Sequence, residues 1–288
     1  MPRYESPAPI DAELDISIGH VEVVASDRAD TVVEVGPTNP GRSGDSSLAR
    51  EATTSFEGGR LRVHVPRRMN LFGQSDSVDV RVELPSGSRV EIDSAYGAVR
   101  VRGDLGASRI TAKYGNVSAD RVGDLVLVSP YGQVEIAEVD GRLDATAGHG
   151  QVRIGRIAGD ARLRGAHGIL DLGTTEGAVD VSTSGPLTIA RALGDVTARS
   201  AHGAIRVLEA DGGVLRLENG YAEVEVGVPL GVAAWVDAVS AHGVVRNELA
   251  AATEAAAGDR TVELHLRANW ADILIRRAPH QPRNGASA

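Results

Sequence analysis

An all-β, parallel β-solenoid is the fold this sequence predicts, and three observations predict it. The first is a doubled glycine periodicity. Glycine follows an aromatic or polar residue at Tyr96-Gly97, Tyr114-Gly115, Tyr131-Gly132, His149-Gly150, His167-Gly168, Ser184-Gly185, His202-Gly203 and Asn219-Gly220, in steps of 17 or 18 residues. A second series, Gly106, Gly123, Gly141, Gly159, Gly177, Gly194 and Gly212, runs half a period away. Two interleaved series mean two corners per repeat, and glycine takes a tight bend or a positive φ at little cost. The second observation is period-two hydrophobicity between the corners: Val99 and Val101, Val134 and Ile136, Val152 and Ile154, Leu170 and Leu172, Leu187 and Ile189, Ile205 and Val207. That alternation marks strands with one face in and one face out. The third is the outward position three after each first-series glycine, which reads Arg100, Ser118, Glu135, Arg153, Asp171, Thr188, Arg206 and Glu223. No neighbours in it share a charge, as in-register stacking would select.

Repeats of this kind cannot bury an apolar face alone, so they stack. Each coil is expected to hold two short strands, to advance about 4.8 Å, and to pair in parallel with the next; about eight coils would make a rod of roughly 40 Å.

Taken in order, residues 1–89 read as N-terminal strands and a cap packed on the rod. Leu14–Val24 and Thr31–Val35 are strands, 36–48 is loop, Ser46–Thr54 is a short helix, and Leu61–Val65 and Val78–Leu84 are strands flanking the loop 66–77. Residues 90–225 are the regular coils. Residues 226–276 are cap strands, with a long segment Val228–Val239 containing Trp235, then Thr261–Leu266 and Ile273–Arg276. Residues 277–288 read as a disordered tail, and the whole as one structural domain. The irregular ends are expected to cover strand edges that would otherwise invite aggregation.

Composition excludes several functions. The chain has 288 residues and no cysteine, so disulfide scaffolds, cysteine-ligated metal sites and thiol nucleophiles are out. A formal charge of −9 argues against nucleic-acid binding. No apolar run is long enough for a membrane-spanning helix. The opening MPRYESPAPIDAEL has no apolar signal core, which leads to the expectation of a cytoplasmic protein. The motifs G-x-S-x-G, G-x-x-x-x-G-K-S/T and H-E-x-x-H are absent. Carboxylate pairs such as Glu138 with Asp140, or Asp144 with Asp160, have the residue types of a glycosidase couple, but outward strand positions read first as solvated charge.

Two surfaces stand out as binding candidates. The loop Arg67-Arg68-Met69-Asn70-Leu71-Phe72-Gly73 sets apolar side chains beside paired arginines, with Arg67, Arg68, Leu71 and Phe72 as its anchors. The competing reading has Leu71 and Phe72 plugging the end of the rod. The second candidate is the edge ladder Tyr96, Tyr114, Tyr131, His149, His167 and His202, which would fall on one column of corners, with His242 as an extension. It reads either as rings stacking for structure or as a platform for sugar or peptide. His149 and His167, one coil apart, are two potential metal ligands without an evident third; no metal or cofactor is expected.

The chain resembles the actinobacterial members of a bacterial β-strand-repeat family of unknown function labelled "putative adhesin". The resemblance runs through Pro7-Ala8-Pro9-Ile10, Gly19 to Arg28, Thr31 to Val35, Val78-Asp79-Val80, Leu84 to Ser88, and Gly231 to Asp237. It departs at the corners, where tyrosine or histidine replaces the family's asparagine or small residue. It implies a β-solenoid and no catalytic residue or cofactor. The function expected is therefore a non-catalytic cytoplasmic scaffold or interaction module, a monomer or weak homo-oligomer with a protein partner. The alternatives are an adhesin-like binding protein of the cell surface or envelope, and a carbohydrate-active β-helix enzyme.

Overall fold

Strands alternate with corners through nearly the whole chain. The computed structural model describes residues 2–68, 75–165, 167–249 and 260–279. By contact density the chain divides into two compact units, Met1–Ile169 and Leu170–Ala288. Each is a parallel β-solenoid of two facing sheets.

The first unit begins with β1 (Arg3–Glu5), β2 (Asp11–Ser26), β3 (Asp30–Pro37), α1 (Ser43–Glu51), β4 (Thr53–Glu57), β5 (Arg60–Val65) and β6 (Val78–Pro85). The regular repeats follow: β7 (Arg89–Tyr96), β8 (Val99–Leu105), β9 (Ser108–Tyr114), β10 (Val117–Val122), β11 (Leu125–Tyr131), β12 (Val134–Val139), β13 (Leu143–His149), β14 (Gln151–Ile157) and β15 (Ala161–Gly165). Odd-numbered repeats pair in parallel in one sheet, β7–β9–β11–β13–β15, and even-numbered ones in the other, β8–β10–β12–β14. The pairing is in register: Val117 sits between Val99 and Val134, and Ile136 opposes Ile154. Inward rows such as Ile92, Ile110, Leu127 and Ala145 are at most 2% exposed. The outward column also runs as expected, with Ser118 between Arg100 and Glu135, and Glu135 against Arg153.

The N-terminal end departs from chain order. The 16 residues of β2 serve both sheets, the first half pairing with β5 and β7 and the second with β6 and β8. One full coil, β2, is thus slotted between the coil β5–β6 and the coil β7–β8. The outer edge of β5 is covered by antiparallel β4, and that of β6 by antiparallel β3, itself paired with β1. Beneath this cover Leu61, Val63, Val65, Val78, Val80 and Val82 are at most 1% exposed. The helix starts earlier than the sequence suggests and stops at Glu51, because the β-branched run that follows joins β5 as β4. In α1, buried Asp45 accepts hydrogen bonds from the backbone N–H of Asn39 (3.0 Å) and Ser77 (3.2 Å), tying the helix to β6.

The second unit holds β16 (Ile169–Thr175), β17 (Val179–Thr183), β18 (Leu187–Ala192), β19 (Val196–Ser200), β20 (Ile205–Ala210), β21 (Gly213–Asn219), β22 (Val224–Val228), β23 (Val232–Ser240), β24 (Val245–Asn247), β25 (Arg260–Ala268) and β26 (Ile273–Arg277). One sheet runs β16–β18–β20–β22–β26–β24 and the other β17–β19–β21–β25–β23, all parallel. Chain order breaks here as well: the coil β25–β26 lies between β21–β22 and β23–β24. Asp211, 5% exposed, clamps the insertion by pairing with Arg191 and with Arg260 at the start of β25. The long segment Val228–Val239 is divided at Pro229-Leu230-Gly231, where Gly231 has φ +75°, between the end of β22 and the start of β23.

The corner glycines are fixed by more than φ. A β-carbon on Gly97, Gly115, Gly132, Gly150 or Gly168 would overlap the carbonyl oxygen of the glycine one coil before. The coils pass too close there for any side chain.

Candidate functional site: a stacked edge column

The ladder exists because three local features coincide. Each ring precedes a corner glycine, so it sits where the strand ends and the chain turns. In-register pairing places Tyr96 against Tyr114, Tyr114 against Tyr131, and Tyr131 against His149. The coil rise then sets the ring spacing near that of stacked aromatics. Ring centroids are 4.9 Å apart for Tyr96–Tyr114, 5.0 Å for Tyr114–Tyr131 and 5.4 Å for both Tyr131–His149 and His149–His167. The tyrosine planes lie within 7° of parallel. All five rings belong to the first unit.

This geometry decides what the column can do. The tyrosines are nearly half exposed, at 45–48%, yet each inner ring has both faces covered by its neighbours. Water meets ring edges and phenol hydroxyls, not faces. A sugar stacking on an aromatic face therefore finds no face along the column. A partner that contacts edges and hydrogen-bonds to a row of hydroxyls finds a rigid, regular one. Next to Tyr131 and His149 in the chain, Val128, Pro130, Thr146, Ala147, Gly148 and Arg164 line a shallow open trough of about 300 Å³.

The second unit carries its own ring pairs. His202 stacks on Tyr221 at 5.2 Å, and His242 on Trp270 at 3.8 Å. Here the sequence-based column needs correction. Asn219 is not a ladder member: it aligns with Ser200, and Tyr221 takes the expected place. The Asn219 side chain, 5% exposed, instead donates to the Gly203 carbonyl (2.7 Å) and accepts from the backbone N–H of Tyr221 and Ala222. The two-residue slip also puts Glu225, not Glu223, opposite Arg206. Tyr221 and Trp270 were missed because glycine was the anchor of the count. Trp270 follows Asn269, not a glycine repeat, and its signal is the coil geometry alone.

The other candidates fare differently. Arg68 is held by Glu51, by Asp76 (3.3 Å) and by the Ser47 hydroxyl (3.0 Å), so it ties residues 66–68 to α1. Glu51 beside it raises the pKa of its guanidinium. Arg67 is exposed. Leu71 and Phe72 lie outside the described residues. His149 and His167 gain no third ligand: among the described residues no group of three His, Asp or Glu side chains is placed to hold a metal ion. Glu138 and Asp140 both contact Arg121, at 2.7 and 3.8 Å, and Asp140 also lies 3.4 Å from Arg156. Carboxylates so neutralised make an ion-pair network on an outer face, not an acid–base couple.

Ion pairs knit the outer faces elsewhere. Arg28 and Arg81 hold the Glu83 carboxyl below its usual range, Arg28 does the same for Asp30, and Arg267 for Asp237.

No family model and no curated protein matches the chain. Among solved structures it is similar to a "putative adhesin" from Bacteroides fragilis NCTC 9343, at 10% identity over 95% of each chain with a TM-score of 0.42. It is also similar to a "putative cell adhesion protein" from Clostridium sporogenes ATCC 15579, at 10% identity over 96% of this chain and 98% of that one, TM-score 0.25. A "putative lipid binding protein" from Parabacteroides distasonis ATCC 8503 aligns at 14% identity over 96% of both, TM-score 0.29. Alignments this divergent establish neither ancestry nor function.

Proposed function

We propose that this chain is a non-catalytic, adhesin-like binding protein whose solenoid presents the edge column to a macromolecular partner at a cell surface or envelope. The observation that supports this reading most is the column Tyr96–Tyr114–Tyr131–His149, solvent-exposed yet stacked ring on ring, with His167 tilted against its end. Tyrosine is among the residues enriched at interface hot spots. Rings already immobilised lose little rotamer freedom on binding, so more of the contact energy appears as affinity. The covered faces favour a protein partner, which can hydrogen-bond to the hydroxyl row, over a sugar that needs an open face. The cytoplasmic scaffold expected from the sequence draws on no comparable observation.

The test is retention of fluorescently labelled protein on intact bacterial cells and on their washed envelopes, against binding to cytosolic extract. Wild type should be retained by the surface or envelope fraction, and a Tyr114→Ser, Tyr131→Ser variant should lose most of that retention. Serine is chosen because Ser184 precedes a corner glycine of the same series. Capture by cytosolic protein alone, or equal retention of the variant, would refute the proposal.

A further inference from the structure

The ring column of the second unit is broken in the middle. Each ring sits one coil on from the last by the same backbone bond: the Tyr221 N–H donates to the Ala201 carbonyl, that of Trp270 to Gly220, and that of His242 to Asn269. The strands before these residues lie in the order β19, β21, β25, β23. His202, Tyr221, Trp270 and His242 therefore share one column, in that order. Only the outer pairs stack, His202 on Tyr221 and His242 on Trp270, with ring planes 17° and 16° apart. Among the described residues Tyr221 and Trp270 make no ring contact with each other. His202 covers Tyr221 from one end of the column and His242 covers Trp270 from the other. The faces left uncovered are the two that turn toward the break. Both rings are more exposed than the column tyrosines of the first unit, Tyr221 at 60% and Trp270 at 55%. The first-unit column offers a sugar ring edges; the break offers it two faces.

A polar trough reaches the same place. Ala201, Gly220 and Asn269, each the residue before a ring, line an open trough of about 520 Å³ together with Arg199, Glu218 and Arg267. No apolar side chain larger than alanine lines it. Its charges are matched, Arg199 with Glu218 at 2.9 Å and Arg267 with Asp237 at 2.5 Å.

We propose that Tyr221, Trp270 and this trough form a binding site for a neutral saccharide. An aromatic face carries partial negative charge and the C–H groups of a pyranose partial positive charge, so the two attract as they pack. The sugar's C–H face lies on the open rings, and its hydroxyls exchange hydrogen bonds with Arg199, Glu218 and Asn269. An apolar platform beside a few oriented polar groups is the usual construction of a small-ligand site. The trough selects the ligand class. A proline-rich peptide also packs on open rings, but its groove is lined by aromatic side chains, and this trough has no apolar wall. An acidic sugar needs an unmatched cation, and both arginines of the trough are matched. The site lies wholly within the second unit and does not depend on the edge column.

The test uses the full chain with neutral oligosaccharides (cellohexaose, chitohexaose and mannohexaose), hexagalacturonate and a proline decamer. Trp235→Phe leaves Trp270 as the one tryptophan, so fluorescence emission reports the site. At least one neutral hexamer should shift that emission saturably, while hexagalacturonate and the proline decamer leave it unchanged. Calorimetric titration should show Trp270→Ala weakening the same hexamer about tenfold or more. Circular dichroism reports whether that variant is folded. If it is not, Arg199→Ala with Glu218→Ala, which alters only exposed side chains, should weaken the hexamer about fivefold. The proposal is overturned if no neutral hexamer shifts the Trp270 emission, or if folded Trp270→Ala binds as wild type does. It is equally overturned if the proline decamer or hexagalacturonate binds in place of the neutral sugars.

Discussion

Four glycine-to-alanine substitutions separate the two reasons a corner glycine is needed. Gly132 combines both, with φ +140° and a β-carbon that would overlap the Gly115 carbonyl. Gly58, in the two-residue turn joining β4 to β5, has φ +57° but open space around it. Gly159 has an ordinary φ, but its β-carbon would overlap the Gly141 carbonyl. Gly36 has neither problem. A side chain forced into a left-handed conformation costs about 1–2 kcal/mol. Overpacking against a neighbour that cannot move costs about 1–3 kcal/mol. Gly58→Ala should therefore destabilise by about 1 kcal/mol, Gly159→Ala by about 2, and Gly132→Ala by about 3–4, the sum of the two effects. Gly36→Ala should be neutral or stabilising by about 0.5 kcal/mol, through the less flexible unfolded chain. Urea unfolding followed by far-ultraviolet circular dichroism gives each value. The two tryptophans, Trp235 and Trp270, report the second unit separately. If Gly132→Ala proved no worse than Gly58→Ala, the close passage of successive coils would be wrong, and with it the stacking that builds the column.

Three further outcomes are expected. Asp211→Asn should lower the stability of the second unit by about 2 kcal/mol, read by tryptophan fluorescence; a buried pair broken on one side costs about 3–5 kcal/mol, discounted here because both arginines are partly exposed. Glu83, Asp30 and Asp237 have depressed folded pKa values, so the unfolded chain takes up protons first as pH falls. Their contribution is full at neutral pH and is lost as pH drops through the folded values, below the ordinary 4.5 and 3.8. The urea midpoint should fall steeply in that acid range, and Glu83→Gln should flatten the curve. Tyr114→Phe should leave stability within about 0.5 kcal/mol of wild type, whereas Tyr114→Ser, which removes two ring contacts, should cost about 1–2 kcal/mol by thermal melting.

What was legible in the sequence is what the repeat makes local. Strand faces such as Val134 and Ile136, the corner glycines, and the register of Tyr96, Tyr114, Tyr131 and His149 all follow from one period. What was not legible is non-local or breaks the period. Nothing in residues 11–26 says that β2 slots between β5–β6 and β7–β8. That order depends on which edges are free once the other coils have formed. The insertion of β25–β26 is hidden for the same reason, and Trp270 with it. At Asn219 the glycine count and the pairing register part company, because Asn219 aligns with Ser200 while the glycines that follow them stand one and three residues on. Charge was read correctly along the column from Arg100 to Arg153, where stacking is uniform, and lost its place after Arg206, where the slip occurs. The strands β1 and β4 were overlooked because three and five residues are too few to show a period.

The claim that the edge column is the contact surface is tested most directly by ring-labelled tyrosine NMR. The chain has five tyrosines. Tyr96, Tyr114 and Tyr131 belong to the column, Tyr4 stacks on Phe56 in the N-terminal cap, and Tyr221 stacks on His202. On titration with the solubilised surface or envelope fraction that retains the protein, the three column signals should shift or broaden together while Tyr4 stays unchanged. Column signals unmoved under saturating partner, or all five tyrosines perturbed alike, would contradict the account.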